Sequence, residues 1–197
     1  MKGCKGVKGE AAAADAPSDD IFARMQAENT LLDGTEMERL DDRQSQLLSA
    51  YQLTGSAKVK GTVEFIETLV ENKVKFIVFA HHYEVMDQIE DAVVKKRINY
   101  IRIDGQIEAT KRYEAVRRFQ TDSNILVGIL SLTASSQGIT LTAATTVVFA
   151  EMNWTPGLMV QAEDRCHRIG QVNSVNVYYL FGEETVDAVI YPRLKLK

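Results

Sequence analysis

The sequence predicts an α/β fold: a parallel sheet with helices on both faces, preceded by a helical connector. Three observations predict it. Phe76-Ile77-Val78-Phe79-Ala80 is a continuous apolar run, as suits a strand buried on both faces. From there to the end of the chain, short strand patterns alternate with helical ones, which yields parallel strands joined by right-handed crossovers. Upstream of the run, the patterning is helical wherever it is periodic.

Taken in order, residues 1–19 are mostly Gly, Lys, Ala and Asp, with Pro17, too poor in large apolar groups to offset chain entropy, and are predicted to be disordered or a linker. Residues 20–55 read as the helical connector. A short helix is predicted over 20–30 behind Ser18, and Thr35 with Glu38 fits a capping box. Leu40, Leu47, Leu48 and Tyr51 follow at helical spacing, and Gly55-Ser56 is predicted to break that helix and cap the next. The domain is placed at 56–197. Val59, Val63, Ile66, Leu69 and Val70 make one apolar stripe over 57–72. After the Phe76–Ala80 strand come a helix over Tyr83–Arg97, a strand over Tyr100–Ile103, a helix over Ala109–Gln120 and strands over Ile125–Leu130 and Thr146–Ala150. A helix is predicted over Pro156–Arg168, with Thr155 as N-cap, Pro156 at its first position and Gly170 as the stop. A strand over Val175–Phe181 and a helix over Val186–Leu194, interrupted by Pro192, complete the pattern.

Composition narrows the function classes. Of 197 residues, 45% are hydrophobic and 25% charged, the balance of a soluble globular protein. No apolar run approaches a membrane span, and the basic start Met1–Gly9 lacks the apolar core of a secretory signal. Cys4 and Cys166 form neither a disulfide framework nor a metal spacing, three histidines add no zinc pattern, and no metal site is predicted. A reducing, intracellular compartment is the default. The net charge of −4 is uneven: residues 1–72 hold 8 Lys+Arg and 13 Asp+Glu, leaving 15 and 14 for the remainder. The acidity belongs to the N-terminal part, and only local basic patches elsewhere can meet a phosphate backbone.

In open parallel sheets, ligands bind beyond the carboxyl ends of the strands, and the chemically suggestive segments fall at such ends. His81-His82 follows the first strand, Asp104-Gly105 the second, Ser131 to Gly138 the third, and Glu151 to Pro156 the fourth. Ser131 to Gly138, with Ser131, Thr133 and Ser135 among its hydroxyls, is the kind of loop that admits phosphate to the main chain; on its residues alone, a polar loop capping a strand and starting a short helix is the more ordinary reading. Beyond it, Arg165 and Arg168 stand three residues apart, on one face if helical. Guanidinium suits phosphate because its planar fork binds two oxygens at once.

Gln161, Asp164-Arg165 and His167-Arg168-Ile169-Gly170-Gln171 resemble the sixth helicase motif of Swi/Snf-type DNA translocases in helicase superfamily two. Ser131 through Ala144 is similar to the family's fifth motif, with Ser135-Ser136 where many members have Gly-Gly and Thr140 where they have Asn. Phe79-Ala80-His81-His82 is similar to the fourth motif of the strand-annealing, fork-remodelling branch, and Arg102-Ile103-Asp104-Gly105 with Arg112 to the segment that tracks one DNA strand. Glu151 with Trp154-Thr155-Pro156 matches the segment before the arginine motif.

The resemblance implies a RecA-like second helicase lobe. It implies catalytic roles for Arg168 and Arg165 at ATP with Mg2+, which they would approach together with Gln161 and Gly138. It implies DNA contacts from His81, His82, Arg102, Asp104, Gly105, Arg112, Ser131, Thr133, Ser135 and Trp154. The partners implied are an N-terminal lobe and DNA, with branched or single/double-strand junctions foremost, and the residence implied is nuclear. The Lys-bearing phosphate loop and the acidic pair for magnesium that such motors need have no counterpart in this sequence, so the chain alone is expected to be inactive. The competing expectation is a stand-alone DNA- or protein-binding module with the same fold and no catalysis.

Overall fold

The computed structural model describes residues 42–166 and 174–194, with side chains for 45–134, 138–166 and 174–194. A long helix, α1 (Asp42–Glu71), leads into β1 (Phe76–Ala80), α2 (Tyr83–Lys95), β2 (Tyr100–Ile103), α3 (Ala109–Thr121) and β3 (Val127–Ser131). A 3-10 helix (Leu132–Gln137), β4 (Thr146–Phe149), α4 (Pro156–Glu163), β5 (Asn176–Tyr179) and α5 (Asp187–Leu194) follow. The five strands form one parallel sheet in the order β2-β3-β1-β4-β5. Ile77 lies level with Gly128 and Val147, and Phe79 with Leu130 and Phe149.

Strand alternation divides the core into two layers. Ile77, Phe79, Ile101, Ile103, Leu130, Val147 and Phe149 point to one face, where Phe119 of α3, Met159 and Ala162 of α4, and Ile190 and Leu194 of α5 cover them. Phe76, Val78, Ala80, Val127, Ile129 and Val148 point to the other, against Val59 and Ile66 of α1 and Val85, Met86, Ile89 and Val93 of α2. β1 is buried along its whole length because it is the central strand. β5 is an edge strand and is mostly exposed.

The predicted break at Gly55-Ser56 is absent: α1 runs unbroken through 30 residues. Gly55 is buried on that helix, and a β-carbon there would overlap Oε1 of Glu151 and stand 3.1 Å from Val85 Cγ2. The glycine marks a close approach of the helix to its neighbours, not an end. α1 is also fastened to the far end of the chain. Lys58 Nζ pairs with Asp187 Oδ2 at 2.6 Å and donates to Leu180 O at 3.1 Å, with both side chains buried.

The expectations for residues 1–41, including disorder over 1–19, the helix over 20–30 and the capping box at Thr35, lie outside the described residues. The helix predicted to run to Arg168 is shorter. α4 ends at Glu163, and the chain tightens into bonds from Arg165 N–H to Ala162 O (3.2 Å) and from Cys166 N–H to Glu163 O (3.1 Å). Tucking Cys166 into the core, where it has no exposed surface, accompanies that tightening.

Candidate functional site

The carboxyl ends of the strands hold three groups of side chains. The first is centred on Glu151, just past β4. The carboxylate is buried; its Oε2 accepts the main-chain N–H groups of His81 (2.8 Å) and His82 (2.9 Å), and its Oε1 lies 2.6 Å from His82 Nδ1. Burial pushes the Glu151 pKa up. The His82 side-chain bond, its charge and the two main-chain donors outweigh that and hold the carboxyl below its ordinary value. The chain after β1 is therefore folded round a carboxylate supplied by the neighbouring strand. His81, by contrast, is pushed down to about 4, first by burial and then by His82, against the pull of Glu151. Tyr51 of α1 closes this group from above. Its hydroxyl donates to Met152 O at 2.6 Å, and its ring meets those of His81, His82 and Trp154 at 5.5, 4.8 and 5.0 Å. Trp154 is only 7% exposed and serves as a packing anchor here.

The second group surrounds Arg102 on β2. Its guanidinium is bonded to Asp87 (2.6 Å) and Glu90 of α2 and to Asp104 (3.0 Å) beyond the strand. Burial would lower its pKa, but these three carboxylates hold it above the usual value. Asp104 also accepts Gln106 N–H at 3.0 Å, shaping the turn that contains the exposed Gly105. Arg102 and Asp104, both expected at DNA, are thus in contact with each other, and the guanidinium is already balanced by acids.

The third group lies between α3, the 3-10 helix and the end of α4. Ser131 caps the 3-10 helix: its Oγ accepts Ala134 N–H and lies 3.1 Å from Thr133 Oγ1, and Thr133 is exposed. Gly138 ends the 3-10 helix at φ +72°, a conformation suited to glycine. Gln120 of α3 clamps the following loop, donating to Thr140 O and Thr142 Oγ1 and accepting Ala143 N–H at 2.7 Å. Between α3 and this loop is a cavity of about 400 Å3 lined by Arg112, Tyr113, Val116, Gly138, Ile139 and Thr140, among others. The loop is also tied to the arginine turn: Leu141 N–H donates to Arg165 O at 3.0 Å. Arg165 sits in that turn, past the end of α4, whereas the sequence predicted it within the helix. Its Nε is buried without a hydrogen-bond partner among the described residues. Gln161 is exposed on α4. Cys166 is buried, and burial pushes its thiol up to about 12, so it packs as an inert side chain.

Arg168, with the rest of His167 to Gln171, lies outside the described residues, as does the side chain of Ser135. The structure adds to the candidate site Tyr51, which the sequence marked only as part of an apolar helix stripe, and Asp87, Glu90, Gln120 and Tyr113, which it did not single out. Glu151 carried a signal, an acid at the end of an apolar strand. Gln120 carried none, since a glutamine on a helix surface is ordinary. Among the described residues, no group of three or more His, Cys, Asp or Glu could hold a metal ion, and no helix is long and apolar enough to cross a membrane.

Comparison with known proteins agrees with this fold. The chain is 44% identical over 152 residues to the SWI/SNF-related matrix-associated actin-dependent regulator of chromatin subfamily A-like protein 1 of Xenopus tropicalis, covering 77% of this chain and 16% of that protein. It is 43% identical over 148 residues to the DNA annealing helicase and endonuclease ZRANB3 of Mus musculus, covering 75% of this chain and 14% of that protein. The chain therefore spans about a sixth of the length of these relatives. The crystal structure of the C-terminal part of the Fun30 ATPase domain superimposes with a TM-score of 0.64 at 27% identity, covering 68% of this chain and 44% of that one. Residues 57–170 match the helicase conserved C-terminal domain, and with a five-stranded parallel sheet carrying its polar groups at the strand carboxyl ends, the chain belongs to that family.

Proposed function

We propose that this chain is the C-terminal motor lobe of an ATP-dependent DNA translocase of the annealing-helicase kind. It works with a first lobe that carries the phosphate loop and, in this reading, holds ATP with Mg2+. The observation that carries the reading is the main-chain bond from Leu141 to Arg165. It couples the loop expected to grip the DNA backbone, from Ser131 to Ala144, to the turn that carries Arg165.

The residues suit a triphosphate in one respect. Arg165 offers a buried guanidinium N–H that no described residue accepts, and guanidinium is the side chain matched to phosphate oxygens. When bound, ATP with its magnesium supplies the phosphoryl group whose transfer drives the motor. This chain's part is to place Arg165 and Arg168 at the terminal phosphate oxygens, with Gln161 and Gly138 alongside. Finger arginines of this type are worth a thousandfold or more in turnover. On the DNA side, Ser131, Thr133, Ser135 and the exposed turn at Gly105 are proposed to meet the backbone directly, and Arg112 to face the bound strand from the start of α3. His81, His82, Arg102, Asp104 and Trp154 are proposed to shape that surface from behind, since the bonds described above engage them. Branched or junction DNA and a nuclear residence are part of this proposal.

The test joins this chain to the first lobe of its parent protein and measures ATP hydrolysis with and without DNA. Arg165→Ala and Arg168→Ala should each abolish DNA-stimulated hydrolysis while the circular dichroism spectrum and melting curve stay unchanged. Hydrolysis at the parent rate in both variants would remove the arginines from the reaction.

A further inference from the structure

We propose that the cleft between the start of α3 and the loop at Gly138–Thr140 holds one unpaired nucleobase, stacked on the ring of Tyr113. This rests on the reading of the lobe as a DNA-binding one and narrows it to a single-stranded nucleotide at a defined place. Tyr113 is 73% exposed, more than any other large hydrophobic side chain described, and it borders a cavity of about 400 Å3. That volume falls within the roughly 300–1,000 Å3 of small-ligand sites.

The lining is mixed in the way a base requires. Val116 and Ile139 are apolar walls for its flat faces. Arg112 brings its guanidinium to the lining, anchored by Nη2 donating to Ile107 O at 2.8 Å. A phosphate would be served poorly by two apolar walls and an aromatic ring, whereas a pyrimidine offers a carbonyl to the guanidinium and a π face to the tyrosine. The cleft is held open by protein contacts alone, because Gln120 fixes the loop to α3 through three hydrogen bonds. A base within a duplex is stacked on its neighbours and paired, so only an unpaired one reaches an aromatic platform of this kind.

The experiment uses the full 197-residue chain with a short oligothymidylate, the same strand as a duplex, and an iodouracil-substituted oligonucleotide for photo-crosslinking. Tyr113→Ala should weaken oligothymidylate binding roughly five- to hundredfold, the range for loss of one base–aromatic stack. Tyr113→Phe should bind as the parent does, duplex binding should be unchanged in both, and the crosslink should map to Tyr113. Parent-like single-strand binding by Tyr113→Ala, or crosslinks that lie elsewhere, overturns the stacking site while leaving the DNA-binding lobe in place. Absence of any DNA binding by the parent chain overturns both.

Discussion

Gly55 lies against Glu151: a β-carbon at position 55 would overlap the carboxylate and stand 3.0 Å from its carboxyl carbon. A helical residue and the organiser of the loop after β1 therefore occupy adjoining space, and the side chain missing at 55 is what lets them do so.

That relationship sets two glycines of one helix against each other. Gly61, six positions on, has nothing within 4 Å of its would-be β-carbon. Gly61→Ala should stabilise the protein by about 0.5–1 kcal/mol, the usual gain in helix propensity. Gly55→Ala should destabilise it by about 1–3 kcal/mol, because overpacking outweighs the same gain. Urea denaturation of the two variants measures both, and equal signs would refute the close approach.

The buried pair of Lys58 and Asp187 should be asymmetric under mutation. Lys58→Met leaves Asp187 charged, buried and short of its cation, at a cost of about 3–5 kcal/mol. Replacing both partners, as Lys58→Met with Asp187→Leu, should recover a substantial part of that loss, limited by the Gly182 N–H that Asp187 now accepts at 2.9 Å. A double-mutant cycle by denaturant titration reads the difference.

Acid should weaken the fold in two stages. His81 in the folded chain takes a proton only near pH 4, against an ordinary value of 6.5. Between those values the unfolded chain binds the proton first, so stability falls as pH drops, by at most about 1.4 kcal/mol per unit. Glu151, held below its ordinary pKa, contributes stability that is present above that value and is lost as pH falls through the depressed one. Denaturant titrations from pH 7 to about pH 3 should show the decline, and His81→Gln should flatten it between 6.5 and about 4 while leaving the fall below the ordinary carboxyl value of 4.5.

Much of the fold was legible because its signals are local. Phe76–Ala80 reads as a central strand since both of its faces are apolar, and the Thr155-Pro156 start of α4 follows from the fixed φ of proline. Gly55 was misread because its helical cost is small beside a tertiary constraint that no local pattern encodes. The end of α4 was misplaced for a similar reason: the turn at Asp164–Cys166 bonds to a loop more than twenty residues upstream, at Leu141. In the candidate site, the strand ends located the polar groups correctly. Which of them pair did not follow, because Arg102 meets Asp87 and Glu90 only once α2 has packed beside β2.

The fastening of α1 bears on how the chain acquires its shape. Tyr51 meets Met152 across 101 positions, Lys58 meets Leu180 across 122, and Thr54 Oγ1 accepts Val186 N–H across 132. Such distant partners make ring closure entropically slow. Along α1, the acceptor of the Tyr51 hydroxyl and the donor to Thr54 Oγ1 follow their partners by 101 and 132 residues, so these two positions are tied down only once the chain has reached Met152 and Val186. Chains cut short before Met152 should hold the start of this helix less firmly than chains that reach Val186, whereas the stripe of Val59 and Ile66 is covered in both by β1 and α2.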